Sequence, residues 1–216
     1  MQNKTSMELF LYKNQLNTKS LVELLPKLSS KTINMIYNDL VNTGMTIKKE
    51  TDDNVYIFTD GGCSNNGKKN AKGAYAVFFD QYSELNEKKT IVSEPTNQKA
   101  ELLAIQKAME IVIDNKNKFS NKNVIFVTDS MYAINCIEKW SVNWVKNDWK
   151  NSKGEQVKNM DIIKNIINLK KELVEWCSFK FKHQLSHTIQ PTDTSTLEYL
   201  LWYGNDMVDK MVSELR

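Results

Sequence analysis

The stretch Val55–Gly67, VYIFTDGGCSNNG, constrains this chain more than any other. Val55, Tyr56, Ile57, Phe58 and Thr59 are all strand formers, and so short an apolar run closed by turn residues reads as a buried strand. The run delivers one carboxylate, Asp60, and then breaks on Gly61 and Gly62. A strand that ends in Asp and turns on glycine sets an acid at the end of a sheet. The tail Cys63-Ser64-Asn65-Asn66-Gly67 is small and polar, as a loop meeting a polar ligand would be. Taken alone, the stretch fits an ordinary hairpin with Asp as a turn residue equally well. The other acids must decide.

Val124–Thr128 repeats the design: an apolar run, a threonine, then Asp129. Ser130 is a cap for a helix over Met131–Lys139. Strand, helix and strand in succession imply parallel neighbours joined by a crossover. Gly73–Phe79 and Lys89–Ser93 read as two further strands, linked closely enough for an antiparallel meander. Asn97–Asn115 reads as a helix capped by Thr96 or Asn97, with Glu101, Ile105, Ala108 and Val112 on one stripe. An acid on an apolar stripe is unusual, although Glu101 near a helix start also suits the helix dipole. A helix over Asn159–Leu173 and a strand over Ser178–Phe181 follow. The last helix starts at Leu197 or at Asn205, runs to Leu215, and carries Asp206 and Asp209.

Residues 1–50 differ. They read as a helical extension, with one helix around Leu21–Leu25 interrupted at Pro26 and a second through Ile33, Ile36, Leu40 and Val41, stopped by Gly44. Two short helices with a turn between them resemble half of a helix-turn-helix, but a packing extension is the preferred reading. Thr46–Asn54 is the linker to the main domain, residues 54–216.

Composition narrows the setting. The chain has 216 residues, 41% hydrophobic and 25% charged, enough to bury a core. Its net charge is +3, which fits a polyanion partner without demanding one. Arg216 is the only arginine, so phosphate contacts must come from lysine, polar side chains and backbone N–H groups. Cys63, Cys136 and Cys177 form no CxxC pair, so neither a disulfide framework nor a zinc site is indicated. The N-terminus has neither a secretory nor a transit pattern, and no apolar run approaches the ~18 residues of a membrane span. An intracellular protein, cytoplasmic or nuclear and away from membranes, is expected. A monomer is expected too, with the oligomeric state left open.

Trp140, Trp144 and Trp149 stand among Lys139, Lys146, Lys150, Lys153 and Lys158. Aromatics between lysines suit nucleic-acid backbone binding; a helical hairpin with half-buried indoles is the alternative. His183 and His187 are the only histidines. Their spacing suits a metal pair on a helix, but they follow a strand, which argues against one.

The acids at strand ends and helix starts are Asp60, Glu101, Asp129 and Asp209. With the first and fourth strands side by side, Asp60 and Asp129 meet, and covering helices bring the other two. Four carboxylates at close range cannot all stay ionised without cations. Oxygen-only ligands select Mg²⁺ or Mn²⁺ over Zn²⁺. Two such ions about 3.5–4 Å apart can activate water and assist in-line attack on a phosphodiester.

TDGGCSNNG, TNQKAELLAI, VTDS and GNDMVDKM, in that order, resemble the type 1 ribonuclease H family over residues 54–216. The resemblance implies an α/β ribonuclease H-like fold: a mixed five-stranded sheet of order 3-2-1-4-5 flanked by helices, here with the helical N-terminal extension. It implies a magnesium-dependent endonuclease, with manganese able to substitute, that cuts the RNA strand of RNA–DNA hybrids and leaves 5′-phosphate and 3′-hydroxyl ends. Asp60, Glu101, Asp129 and Asp209 match its metal-binding acids, two ions in all. His187 matches its mobile proton-shuttling histidine better than His183 does. From His187 to Asp209 is 22 positions, longer than the family's interval, so TIQPTDTSTLEYLLWYG is expected to loop out. Asn66, Asn97 and Gln98 match residues that meet the hybrid's minor groove, where RNA hydroxyls distinguish the strands. Trp149 matches a deoxyribose contact, and Asn159 and Thr96 a DNA-phosphate contact. Glu94 stands where that phosphate pocket often has arginine. A resolvase-like DNA nuclease on the same fold and a non-catalytic hybrid-binding module are the alternatives.

Overall fold

The computed structural model describes residues 54–80 and 82–216. The helices expected within residues 1–50 lie outside the described residues. Five strands form one sheet: β1 Asn54–Ser64, β2 Lys72–Phe79, β3 Glu87–Ile91, β4 Asn123–Thr128 and β5 Ser178–His183. Their order is β3-β2-β1-β4-β5, as the resemblance implied. The β1–β2–β3 meander is antiparallel, while β4 and β5 run parallel to β1. The helices are α1 Asn97–Asp114, α2 Lys116–Phe119, α3 Met131–Asn135, α4 Ser141–Lys146, α5 Met160–Val174 and α6 Leu197–Ser213. None of these is long and apolar enough to cross a membrane.

Strand side chains alternate between two cores. Val55, Ile57, Val77, Phe79 and Phe126 pack with Leu102, Ile105 and Met109 of α1 and Ile163 and Ile166 of α5. Tyr56, Phe58, Ala74, Ala76, Phe78, Ile125 and Val127 pack with Leu201, Val208 and Val212 of α6. Because both faces of the central strands are covered, Val55–Phe58 of β1 and Val124–Val127 of β4 are apolar without interruption. Gly204 brings α6 close: a Cβ there would stand 2.2 Å from the Phe58 ring.

Four expectations change. First, β1 does not break after Asp60 but continues through Gly61 and Gly62, opposite Tyr75 and Ala74 of β2. Only its parallel partnership ends there, at Thr59↔Thr128. Asp60, still within β1, and Asp129, just past the end of β4, are therefore each the first residue beyond the parallel pairing of these neighbouring strands. Second, the helix expected over Met131–Lys139 is α3 followed by a π-helical turn, Cys136–Trp140, that leads into α4. Third, β5 extends to His183, because β4 pairs with it as far as Thr128.

Fourth, the segment expected to loop out is half helix. α6 begins at Leu197, where the Thr196 hydroxyl accepts from the Tyr199 N–H at 3.2 Å. Asp193 prepares that cap, accepting from the Ser195 N–H and hydroxyl and, through its carbonyl, from the Thr196 hydroxyl. Such a cap satisfies donors that the first helical turn leaves open.

Candidate active site

Each Thr-Asp strand end is braced through its threonine hydroxyl, in a different way. The Thr59 hydroxyl donates to the Val127 carbonyl at 3.3 Å, and the Thr128 hydroxyl accepts from the Ser130 N–H at 3.1 Å. The Ser130 hydroxyl then caps α3 by accepting from the Ala133 N–H. These bonds hold the acids that follow each threonine at a defined height above the sheet.

Glu101 reaches them because of Gly61. A Cβ at Gly61 would lie 2.2 Å from the Ala100 carbonyl carbon and 2.4 Å from the Glu101 nitrogen. Only glycine lets α1 rest so closely on β1. The start of α1 is fixed twice over: the Thr96 hydroxyl accepts from the Lys99 N–H at 3.1 Å, and the Asn97 side-chain oxygen accepts from the Cys63 N–H at 2.7 Å.

Asp60, Glu101 and Asp129 thus converge, each offering a carboxylate oxygen within 4.8 Å of the others. Asp60 Oδ2, Glu101 Oε2 and Asp129 Oδ1 are buried and have no hydrogen-bond partner among the described residues. Burial, followed by the charges of Asp129 and Asp209, pushes the Asp60 carboxyl up to about 7, against the Gly61 N–H and Arg216. Glu101 is raised well above the usual carboxylate range by burial, then by Asp60 and Asp129. Buried oxygens left without donors are costly, and mutually repelling carboxylates more so. A hard divalent cation relieves both, so these residues fit such an ion.

Asp209 stands apart from that trio. Its Oδ1 lies 3.5 Å from the Arg216 guanidinium, and it bears on the trio through its charge on Asp60. Beside it a cavity of about 110 Å³ is lined by Ser186, His187, Thr188, Trp202, Asn205 and Asp206. His187 is exposed and holds a left-handed backbone, φ 54°. His183 is tied down, its Nε2 3.0 Å from the Asp129 carbonyl oxygen. Of the two histidines, the structure sets the free one beside Asp209 and pins the other at the end of β5.

Asn66, Thr96, Asn97, Gln98 and Asn159 line one cleft of about 680 Å³, together with Gly67, Glu94, Lys99 and Lys158. Its walls include the N-terminal ends of α1 and α5, whose N–H groups favour anions. Asn159 and Glu94 both have positive φ, 57° and 44°. Trp149 is not in this cleft. It packs against the larger core, with Lys164 Nζ 5.1 Å from its ring centroid. Trp140 and Trp144 instead line an open groove with Asn147 and Lys150.

Sequence reasoning passed over two residues. Arg216 was noted only as the sole arginine; its spacing of seven from Asp209, two helical turns, was the available signal. Trp202 fell in the segment expected to loop out, yet its indole N–H donates to the Thr188 carbonyl.

A family model described as RNase H matches residues 52–216. The chain belongs to the RNase H family. It is 38% identical over 109 residues to ribonuclease H1 of Homo sapiens, a match covering 50% of this chain and 37% of that protein. It is 36% identical over 116 residues to ribonuclease H of Syntrophomonas wolfei, covering 53% and 74% respectively. The chain thus spans little more than a third of the length of the human relative. The solution structure of the PFV RNase H domain shares the fold, with a TM-score of 0.53 at 20% identity, over 74% of this chain and 92% of that one. The mixed sheet and its flanking helices are accordingly an RNase H-like fold.

Proposed function

We propose that this chain is a metal-dependent endonuclease that hydrolyses the RNA strand of RNA–DNA hybrids, leaving 5′-phosphate and 3′-hydroxyl ends. The observation that carries the reading is the meeting of Asp60, Glu101 and Asp129, with three buried oxygens left without donors. Magnesium ions, two in number, would be held by these acids with Asp209 and would supply the charge neutralisation that phosphodiester hydrolysis needs. Manganese would serve the same donor set. Family membership and the relatives' names, ribonuclease H, support the substrate class.

The chain's own groups then take defined roles. His187, exposed beside Asp209, stands where a proton-shuttling side chain of the site would be needed. Asn66, Asn97 and Gln98 present amide groups suited to hydroxyl-bearing minor-groove edges. The oxygen of Asn97 is already engaged by Cys63, so its amide donors are what remain for a ligand. Thr96, Asn159 and Lys158 suit a phosphate of the DNA strand, with the lysine supplying the positive charge. Trp149, turned toward the core, can meet a sugar only with its exposed edge.

The test is a labelled RNA–DNA hybrid incubated with the full chain and Mg²⁺, with duplex DNA, duplex RNA, single strands and DNA junctions as controls. The RNA strand of the hybrid should be cut to 5′-phosphate products, and Asp129→Asn should abolish cutting while the fold survives. Cutting confined to DNA junctions would assign the chain to the resolvase-like class. Hybrid binding without turnover would make it a binding module.

A further inference from the structure

We propose that Arg216 is a displaceable counter-cation of the acidic site, which holds Asp209 until divalent ions claim that carboxylate. The inference rests on the metal-dependent reading above and adds to it a residue that competes with the metal.

Three contacts seat the guanidinium. One nitrogen lies 3.5 Å from Asp209 Oδ1 and donates to the Ser213 hydroxyl at 3.1 Å. The group also lies on the backbone of Gly62, where a Cβ would stand 1.7 Å from its Nη1. Gly62 is two residues past Asp60 on β1, so the seat adjoins the carboxylate trio. The positive charge accordingly opposes the upward shifts of both Asp60 and Glu101. Arg216 is the only arginine, and the guanidinium cannot lose its proton. Relief of the site therefore comes from movement and not from titration.

Movement is cheap. The arginine side chain is 31% exposed, and its partner carboxylate 36%. A half-exposed pair of this kind is weak. A divalent ion shared by several carboxylates competes for Asp209 with greater charge. Asp209 can then turn from Arg216 toward Asp60, which already feels its charge. In this arrangement the arginine lowers the repulsion among the acids when ions are scarce and sets the ion concentration at which the site fills.

The experiment is calorimetric titration of the full chain with Mn²⁺, comparing wild type with Arg216→Ala, Arg216→Lys and Gly62→Ala. The alanine variant should bind Mn²⁺ about twofold to fivefold more tightly, the range set by loss of a partly exposed ion pair. Gly62→Ala keeps the charge but takes its seat, and should shift affinity the same way. The thermal midpoint of Arg216→Ala in EDTA should fall below that of wild type, and the difference should vanish at saturating Mn²⁺. Unchanged or weaker Mn²⁺ binding in both alanine variants overturns the proposal. That includes the case where turnover falls while affinity does not rise, which would assign Arg216 to the substrate instead. If wild type binds Mn²⁺ and cuts the hybrid, such a result sinks only this inference; if wild type binds no Mn²⁺, the metal-dependent reading falls with it.

Discussion

The indole N–H of Trp202 donates to the carbonyl oxygen of Thr188 at 3.1 Å. Trp202 lies seven residues, about two helical turns, before Asp209 on α6. The bond ties the turn bearing His187 to the helix bearing Asp209, which reconciles a long sequence interval with a short spatial one. Trp202→Phe keeps most of the packing and removes the donor. Turnover on the hybrid should fall about threefold to tenfold, the effect of one lost hydrogen bond, with Mn²⁺ affinity unchanged. Steady-state cleavage beside a calorimetric titration checks it. Equal losses in turnover and metal binding would mean the bond supports Asp209 and not the histidine.

Gly61 makes a sharper prediction. The atoms a new Cβ would meet are the backbone of Ala100 and Glu101, which cannot swing aside. Gly61→Ala should destabilise the fold by about 2–4 kcal/mol and weaken Mn²⁺ binding, because α1 must lift and carry Glu101 with it. Gly67→Ala is the comparison. That position has open space but φ +80°, and its cost should be about 1 kcal/mol with no effect on metal binding. Denaturant unfolding of both variants separates the two costs.

The raised Asp60 carboxyl makes metal-free stability depend on pH. Its ordinary value is 3.8 and the folded value is about 7, so the folded chain holds the proton more tightly than the unfolded chain. That stabilisation is complete below the unfolded value and is lost as pH rises through the folded one. The thermal midpoint in EDTA should therefore decline between about pH 4 and pH 7 from this group, and Asp60→Asn should flatten the decline. Saturating Mg²⁺, which binds the ionised carboxylates, should oppose it. Melting curves across that range, with and without Mg²⁺, decide the matter; identical EDTA profiles for wild type and Asp60→Asn would contradict it.

Glu94 and Lys158 line the same cleft with opposite charges. In an Asp129→Asn background, Lys158→Ala should weaken hybrid binding and reduce the salt dependence by about one phosphate contact. Glu94→Gln should tighten binding about threefold by removing a charge that repels phosphate. Affinities measured at several salt concentrations test both. A salt slope unmoved by Lys158→Ala would place the DNA strand elsewhere.

The main elements were readable because they report on their own burial. The VYIF and VIFV runs are apolar throughout since both sheet faces are covered, and the acid after each closing threonine marks where parallel pairing stops. Glu101 stood out because a carboxylate on an apolar stripe has to face something particular. These are short-range signals, carried by a few adjacent residues or one helical stripe.

What the amino-acid order marked by itself was the two Thr-Asp strand ends and four candidate acids, Asp60, Glu101, Asp129 and Asp209, while the strand order came with the family resemblance. Tertiary structure decided the rest. Gly61 and Gly62 read as a turn because glycine permits one, yet they continue a strand; their meaning comes from α1 and Arg216 lying on them. The stretch before Gly204 read as an insertion, yet it is the first half of α6, held against Phe58 through a glycine and against Thr188 through an indole. Arg216 is adjacent to the acids only once α6 is docked on the sheet. A local pattern records whether a residue will be buried, but not which distant group will be packed against it.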